Sequence, residues 1–104
     1  MNYSVYDLKQ RKPGEIIEVQ LSAAANVLLL DSSNYSSFRA GRRHQYYGGL
    51  ARRSPLRLTV PRAGHWFLVV HMEGLRGRVR HSMRVLQGPL PEIRQPNLRS
   101  IIED

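Results

Sequence analysis

The side chains of this 104-residue chain that could exchange protons or attack a substrate are Asp7, Glu15, Glu18, Asp31 and Glu73, four histidines and scattered serines. General acid–base or nucleophilic chemistry needs such groups to converge, and none of them stands in a motif that would bring that about. There is no Gly-x-Ser-x-Gly elbow, no His-Glu-x-x-His pair and no glycine-rich phosphate loop ahead of a helix. Gly48-Gly49 reads as a turn. Metal chemistry fares no better. With no cysteine there are no thiolate ligands, and His65 and His71, though on one face of an expected strand, are about 20 Å apart at ~3.3 Å per residue. His71 and His81 approach each other only if a hairpin joins them, and no third ligand accompanies them. The expectation is a protein that is not an enzyme and holds neither metal nor cofactor.

Arginine is the other chemistry-bearing residue. The chain has sixteen basic against eight acidic residues, a net charge of +8, and from Arg39 to Arg84 there are eleven arginines and one acid, Glu73. Such a field favours nucleic acid or another polyanion as partner, and guanidinium forks fit phosphate two bonds at a time. The candidates for anion binding are Arg42, Arg43, Arg52, Arg53, Arg57, Arg78, Arg80 and Arg84. Tyr46 and Tyr47 are the candidate stacking residues, beside Tyr35 and Phe38, since aromatic faces hold unstacked bases. Against this stands a simpler reading, in which the arginines are a solvated surface and the tyrosines pin a long loop to the fold. The alternative function on that reading is a protein-interaction or sensing accessory with an incidental basic surface.

The scaffold that must position these residues is legible from period-two patterning. Residues 65–72 are largely apolar on both faces, with Trp66, Leu68, Val70 and Met72 on one and His65, Phe67, Val69 and His71 on the other. They read as a central strand covered on both sides. Before it, Leu56, Leu58 and Val60 alternate with Arg57 and Thr59. After it, Val79, His81, Met83 and Val85 alternate with Arg78, Arg80, Ser82 and Arg84. Two hairpins sharing the central strand are the simplest expectation, with Arg78, Arg80 and Arg84 on one sheet face and Arg57 joining them from across the centre. Upstream, residues 3–8 read as a strand and 9–14 as a turn ending in Pro13-Gly14. Ile17, Val19 and Leu21 mark a half-buried strand, and residues 26–31 a second strand covered on both sides. A helix over residues 23–30 is the competitor that three alanines and three leucines allow. Residues 32–54 are the longest connection. There Ser32-Ser33-Asn34 is expected to cap one helical turn through Tyr35 and Phe38, and residues 46–49 to form a short strand.

Several of these pieces together carry a resemblance. Tyr6-Asp7-Leu8 leading into Pro13-Gly14, the Ala25-Asn26-Val27 to Asp31 strand followed by Asn34, Tyr47-Gly48-Gly49, Ser54-Pro55, and Val60-Pro61 with Gly64-His65-Trp66 resemble a small bacterial family known as a domain of unknown function, found alone or alongside Toll/interleukin-1 receptor modules. The resemblance covers roughly residues 3–86. It implies an all-β sandwich-like domain and no catalytic residues to carry over.

We therefore expect one all-β domain over residues 1–88, an antiparallel, jelly-roll-like β-sandwich of about seven or eight strands. Its core is expected to hold Trp66, Leu68, Val70, Leu56, Leu58, Val27, Leu29, Val19 and Val85. A proline-containing tail over residues 89–104 either ends in a short helix capped by Asn97 or docks on a second subunit to make a homodimer. No basic-then-apolar leader opens the sequence and no apolar run approaches membrane length, so a soluble cytoplasmic protein with no membrane partner is expected.

Overall fold

Alternating side chains resolve into seven strands, and the long connection into one helix and the fourth strand. The computed structural model, which describes residues 2–88, runs through β1 (Tyr3–Arg11), β2 (Ile16–Leu21), β3 (Ala25–Asp31), α1 (Ser32–Arg39), β4 (Tyr47–Ala51), β5 (Leu56–Thr59), β6 (Gly64–His71) and β7 (His81–Leu86). The strands form a four-stranded sheet ordered β1-β6-β3-β4 and a three-stranded sheet ordered β5-β2-β7, antiparallel throughout. The fold is the expected all-β sandwich, and β3 takes the place of the competing helix. The tail over residues 89–104, with its expected helix or dimer contact, lies outside the described residues.

The pairing around β6 corrects the expected pair of hairpins. β6 lies between β1 and β3, while its sequence neighbours β5 and β7 flank β2 in the facing sheet. The cause is the two apolar faces of β6. β5 and β7 each have one wet face, which suits a sheet that meets water on its outer side; β6 needs cover on both, and the sheet that carries α1 supplies it. On the inner side, Trp66 and Leu68 join Leu8, Ile17, Val19, Val27, Leu29, Ala51 and Val60, with Leu56, Leu58 and Val85 packed at the margin. On the outer side, Val69 joins Leu28, Leu30 and Phe38, with Tyr3 and Tyr35 beside them.

Tertiary packing makes α1, because Ser32-Ser33-Asn34 are poor formers of a helix interior. It is longer than the single turn expected, and Asp31, not the serines, caps it: Asp31 Oδ1 accepts the Asn34 N–H at 2.8 Å. At the other end Gly41, with φ of 71°, closes a Schellman motif in which Arg42 N–H donates to the Ser37 carbonyl at 2.8 Å and Gly41 N–H to the Phe38 carbonyl at 3.1 Å. Tyr35 and Phe38, three residues apart, share the buried face. Tyr35 stacks on Phe67 of β6 with centroids 4.2 Å apart, and Phe38 meets Tyr3 of β1 edge-on at 5.0 Å.

Residues 9–14 are likewise not wholly a turn. β1 continues to Arg11 through a bulge, since Asp7 pairs with Phe67 and Gln10 with His65, which sets Leu8 and Lys9 against the single residue Trp66. Lys9 takes the positive φ of 62° that the bulge demands. Its N–H donates to Asp7 Oδ1 at 2.9 Å, and the same oxygen lies 2.6 Å from His65 Nε2. The His65 hydrogen bond, then that of Lys9, hold the Asp7 carboxyl below its ordinary pKa.

Candidate functional site

Strand registers divide the eight candidate arginines among three places. On the outer face of the three-stranded sheet, Glu18 of β2 stands directly between Arg57 of β5 and Arg84 of β7. Arg57 Nε donates to Glu18 Oε2 at 2.9 Å, and Arg84 Nε to Glu18 Oε1 at 2.6 Å. Ile17 and Val19 point into the core, so Glu18 points out. It is nevertheless only 1% exposed, because the two arginine side chains cover it. The Arg84 hydrogen bond, reinforced by that of Arg57, lowers the Glu18 pKa against the opposing pull of desolvation. Arg57 and Arg84 are thus neighbours, as expected, but across β2 instead of β6, and a local carboxylate engages both.

Arg42 and Arg43 follow the cap of α1, on the side of the four-stranded sheet. The remaining four gather at one end of the sandwich. Ala25 is opposite Ala51, Asn26 opposite His71, and Leu21 opposite His81, so the connections over residues 22–24, 52–55 and 72–80 all emerge together. Hydrogen bonds tie them: Arg80 N–H to Ser22 Oγ at 2.7 Å, Ser22 N–H to the Arg80 carbonyl at 2.9 Å, and Leu21 N–H to Ser54 Oγ at 2.8 Å. This end carries Arg52, Arg53, Arg78 and Arg80, joined by Arg76, with Glu73 as its one acid, and all five arginines are exposed. Among the described residues none of the five is in an ion pair. Arg78 and Arg80 precede β7 and so are loop residues, a correction to the sheet face on which the alternation placed them.

The opposite end holds a cleft of about 390 Å³ between the last residues of β3, the first turn of α1, the start of β4 and residues 60–63. Leu29 and Trp66 line it with Asp31, Asn34, Gln45 and Arg62, and the candidate stacking residues Tyr46 and Tyr47 are here, away from the five-arginine end. The walls are braced internally. Arg62 Nη2 donates to Asp31 Oδ2, and the Arg62 guanidinium lies 5.1 Å above the Trp66 ring. Trp66 Nε1 donates to the Arg62 carbonyl at 3.0 Å, Asn34 Nδ2 to Asp31 Oδ1 at 3.0 Å, and Gln45 N–H to Asn34 Oδ1 at 2.7 Å. Desolvation alone would raise the Asp31 pKa, but the bonds from the Asn34 backbone and amide and the charge of Arg62 together bring it below the ordinary value. Sequence reasoning singled out neither Arg62 nor Gln45, and it named Glu18 and Asp31 only as groups for proton chemistry, not as partners of arginines. The one available signal was the Asp31–Asn34 spacing, which is that of a helix cap.

His71 and His81 are not joined by a hairpin, since β6 and β7 lie in different sheets. His81 Nδ1 lies 2.6 Å from the Tyr6 hydroxyl, while His71 Nδ1 accepts the Glu73 N–H at 3.2 Å. Burial lowers the His71 pKa and raises that of Tyr6. Among the described residues no group of three or more histidines and carboxylates could hold a metal ion.

Asp7, Glu18 and Asp31 all have folded pKa values below their unfolded ones, so each contributes stability that is complete above the ordinary carboxylate range and is lost as pH falls through the depressed folded value. Thermal melts should therefore show the midpoint of the wild type dropping steeply once the pH enters and passes below that range. In Glu18→Gln the drop should be shallower, and the gap between the two proteins should be widest near neutrality and close in acid. A constant gap across the pH series would show that Glu18 does not carry this linkage.

The sandwich, its covered acid and its two chemically different ends define a small all-β domain, and no helix among the described residues is long and apolar enough to cross a membrane. The sequence matches the family described as "Domain of unknown function (DUF1883)" over residues 1–89, and the chain belongs to that family. No curated protein and no solved structure matches the chain.

Proposed function

We propose that this protein is a non-enzymatic binding module that meets an anionic partner, a phosphate-bearing strand being the best-fitting class, through the arginines at one end of the sandwich. The observation that carries this reading is the convergence of Arg52 and Arg53 on one connection with Arg76, Arg78 and Arg80 on another, at the same end of the sandwich by strand register, with Glu73 alone opposing them. Fixed loops that present exposed guanidinium groups can bridge successive phosphates bidentately. Tyr46 and Tyr47 stand at the other end, so contact is with the backbone of the polyanion, and little preference among base sequences is expected.

A labelled single-stranded oligonucleotide titrated at several salt concentrations tests this. Binding should weaken as salt rises, with a log–log slope of about −0.7 for each phosphate neutralised, or about −3.5 if all five arginines engage. Replacing Arg52, Arg53, Arg78 and Arg80 together by glutamine should remove most of that slope, whereas Arg57→Gln with Arg84→Gln should change it little, since Glu18 engages both. No binding at low salt, or a slope indifferent to the first set of substitutions, would overturn the reading.

A second reading, a protein-interaction or sensing accessory, draws on Tyr46, Tyr47 and Leu50, exposed apolar residues at or beside the edge strand β4. That edge is poorly suited to pairing with another strand. Gly48 and Gly49 sit at φ of 111° and 127°, which breaks the regular row of backbone donors and acceptors that an added strand requires.

A further inference from the structure

We propose that the cleft at the helix-bearing end is a second binding site, for a neutral, hydroxyl-rich ring: a saccharide of one or two units. Its two ionised groups, Asp31 and Arg62, are bonded to each other, so the lining carries no net charge and exerts no long-range pull on an anion. Nor do the walls suit an apolar guest. Arg62 reaches Asp31 through Nη2 alone, and among the described residues its Nε and Nη1, the Gln45 carboxamide and the Tyr46 and Tyr47 hydroxyls have no protein partner. Covering them with hydrocarbon would strand donors and acceptors that water now satisfies.

Ring hydroxyls satisfy both kinds of group, and the C–H face of a pyranose suits the aromatic surface beside them. Tyr47, 45% exposed, supplies that surface beside the Trp66 ring, 6.2 Å away, and Tyr46, 47% exposed, stands next to it in the chain. The cleft is also formed before any ligand arrives. Asn34 links the Asp31 cap to Gln45, and Trp66 holds Arg62 through both its ring face and its N–H, so little ordering cost remains at binding. At about 390 Å³ the space is of small-molecule size.

Trp66 is the only tryptophan in the chain, and Arg62 lies over its ring, so ligand contact with Arg62 alters its emission. The test is a fluorescence titration of the full chain with glucose, maltose, cellobiose and chitobiose, with inorganic phosphate and AMP as the anionic arm. At least one sugar should give a saturable change that added salt up to about 0.5 M leaves intact, which separates this site from the salt-sensitive arginine end. Gln45→Ala and Tyr47→Ala should each weaken it by about three- to tenfold. Gln45→Ala should also keep the wild-type thermal midpoint, because among the described residues its side chain has no hydrogen-bond partner. Silence toward every sugar, a response to phosphate or AMP alone, or an unchanged sugar response in both variants would overturn the proposal, whatever the oligonucleotide titration shows.

Discussion

Trp66→Ala is expected to destabilise the domain by about 3–5 kcal/mol, enough to lower the midpoint of a circular-dichroism melt by at least about 12 °C. The indole is 1% exposed at the centre of the inter-sheet core, and its loss leaves a cavity that the surrounding residues, anchored in paired strands, can only partly fill. Two further contacts go with it. The Arg62 carbonyl loses its donor, and the Arg62 guanidinium loses the ring on which it rests. Trp66→Phe keeps most of the buried area and should cost markedly less. A midpoint within about 3 °C of wild type for the alanine variant would mean that Trp66 is not the keystone of this core.

Gly48→Ala is the second substitution with a large expected effect, about 2–4 kcal/mol from strain and steric overlap combined. Gly48 has φ of 111°, and a Cβ there would overlap the carbonyl oxygen of Val27 on the neighbouring strand. β4 would have to move away from β3, carrying Tyr47, which is opposite Leu29, out of the cleft wall. Gly49 supplies the internal control. Its φ of 127° is as unfavourable for a side chain, yet a Cβ there meets nothing, so Gly49→Ala should cost only the conformational strain. Denaturant melts of the pair measure the steric part as a difference, and hydrogen exchange should show the β3–β4 amides losing protection in the Gly48 variant first. Equal costs for the two would show that the close approach to Val27 is not what requires glycine.

The two ends of the molecule differ in kind, and the fold explains why. At the arginine end two connections bring like charges together in water, where each arginine is exposed and outside any ion pair among the described residues. At the cleft end one carboxylate caps a helix and neutralises the arginine above the tryptophan, which leaves polar but uncharged walls. The salt dependence of any ligand is therefore a direct reading of which end it occupies.

Much of this was legible in the residue pattern. Period-two alternation located most strands. Apolar residues on both faces of residues 65–72 and 26–31 required a layer on each side, which the facing sheet and α1 provide. Trp66, Leu68, Val27, Leu29 and Val19 were assignable to the core on patterning alone, and all are buried. Periodicity says which way a side chain points but not which strand lies beside it. Hairpins between β5, β6 and β7 satisfy the same alternation as the observed pairing, and the choice between them rests on burial of both faces of β6, a property of the whole assembly. The fate of the arginines followed from that choice. Glu18 meets partners 39 and 66 residues away, and the cleft draws its walls from connections far apart in the chain, so only tertiary structure could decide which guanidinium groups are engaged and which stand free. Local sequence sets the facing and spacing of side chains; long-range strand pairing sets their neighbours, because the pairing energy is shared across the sheet and written in no single segment.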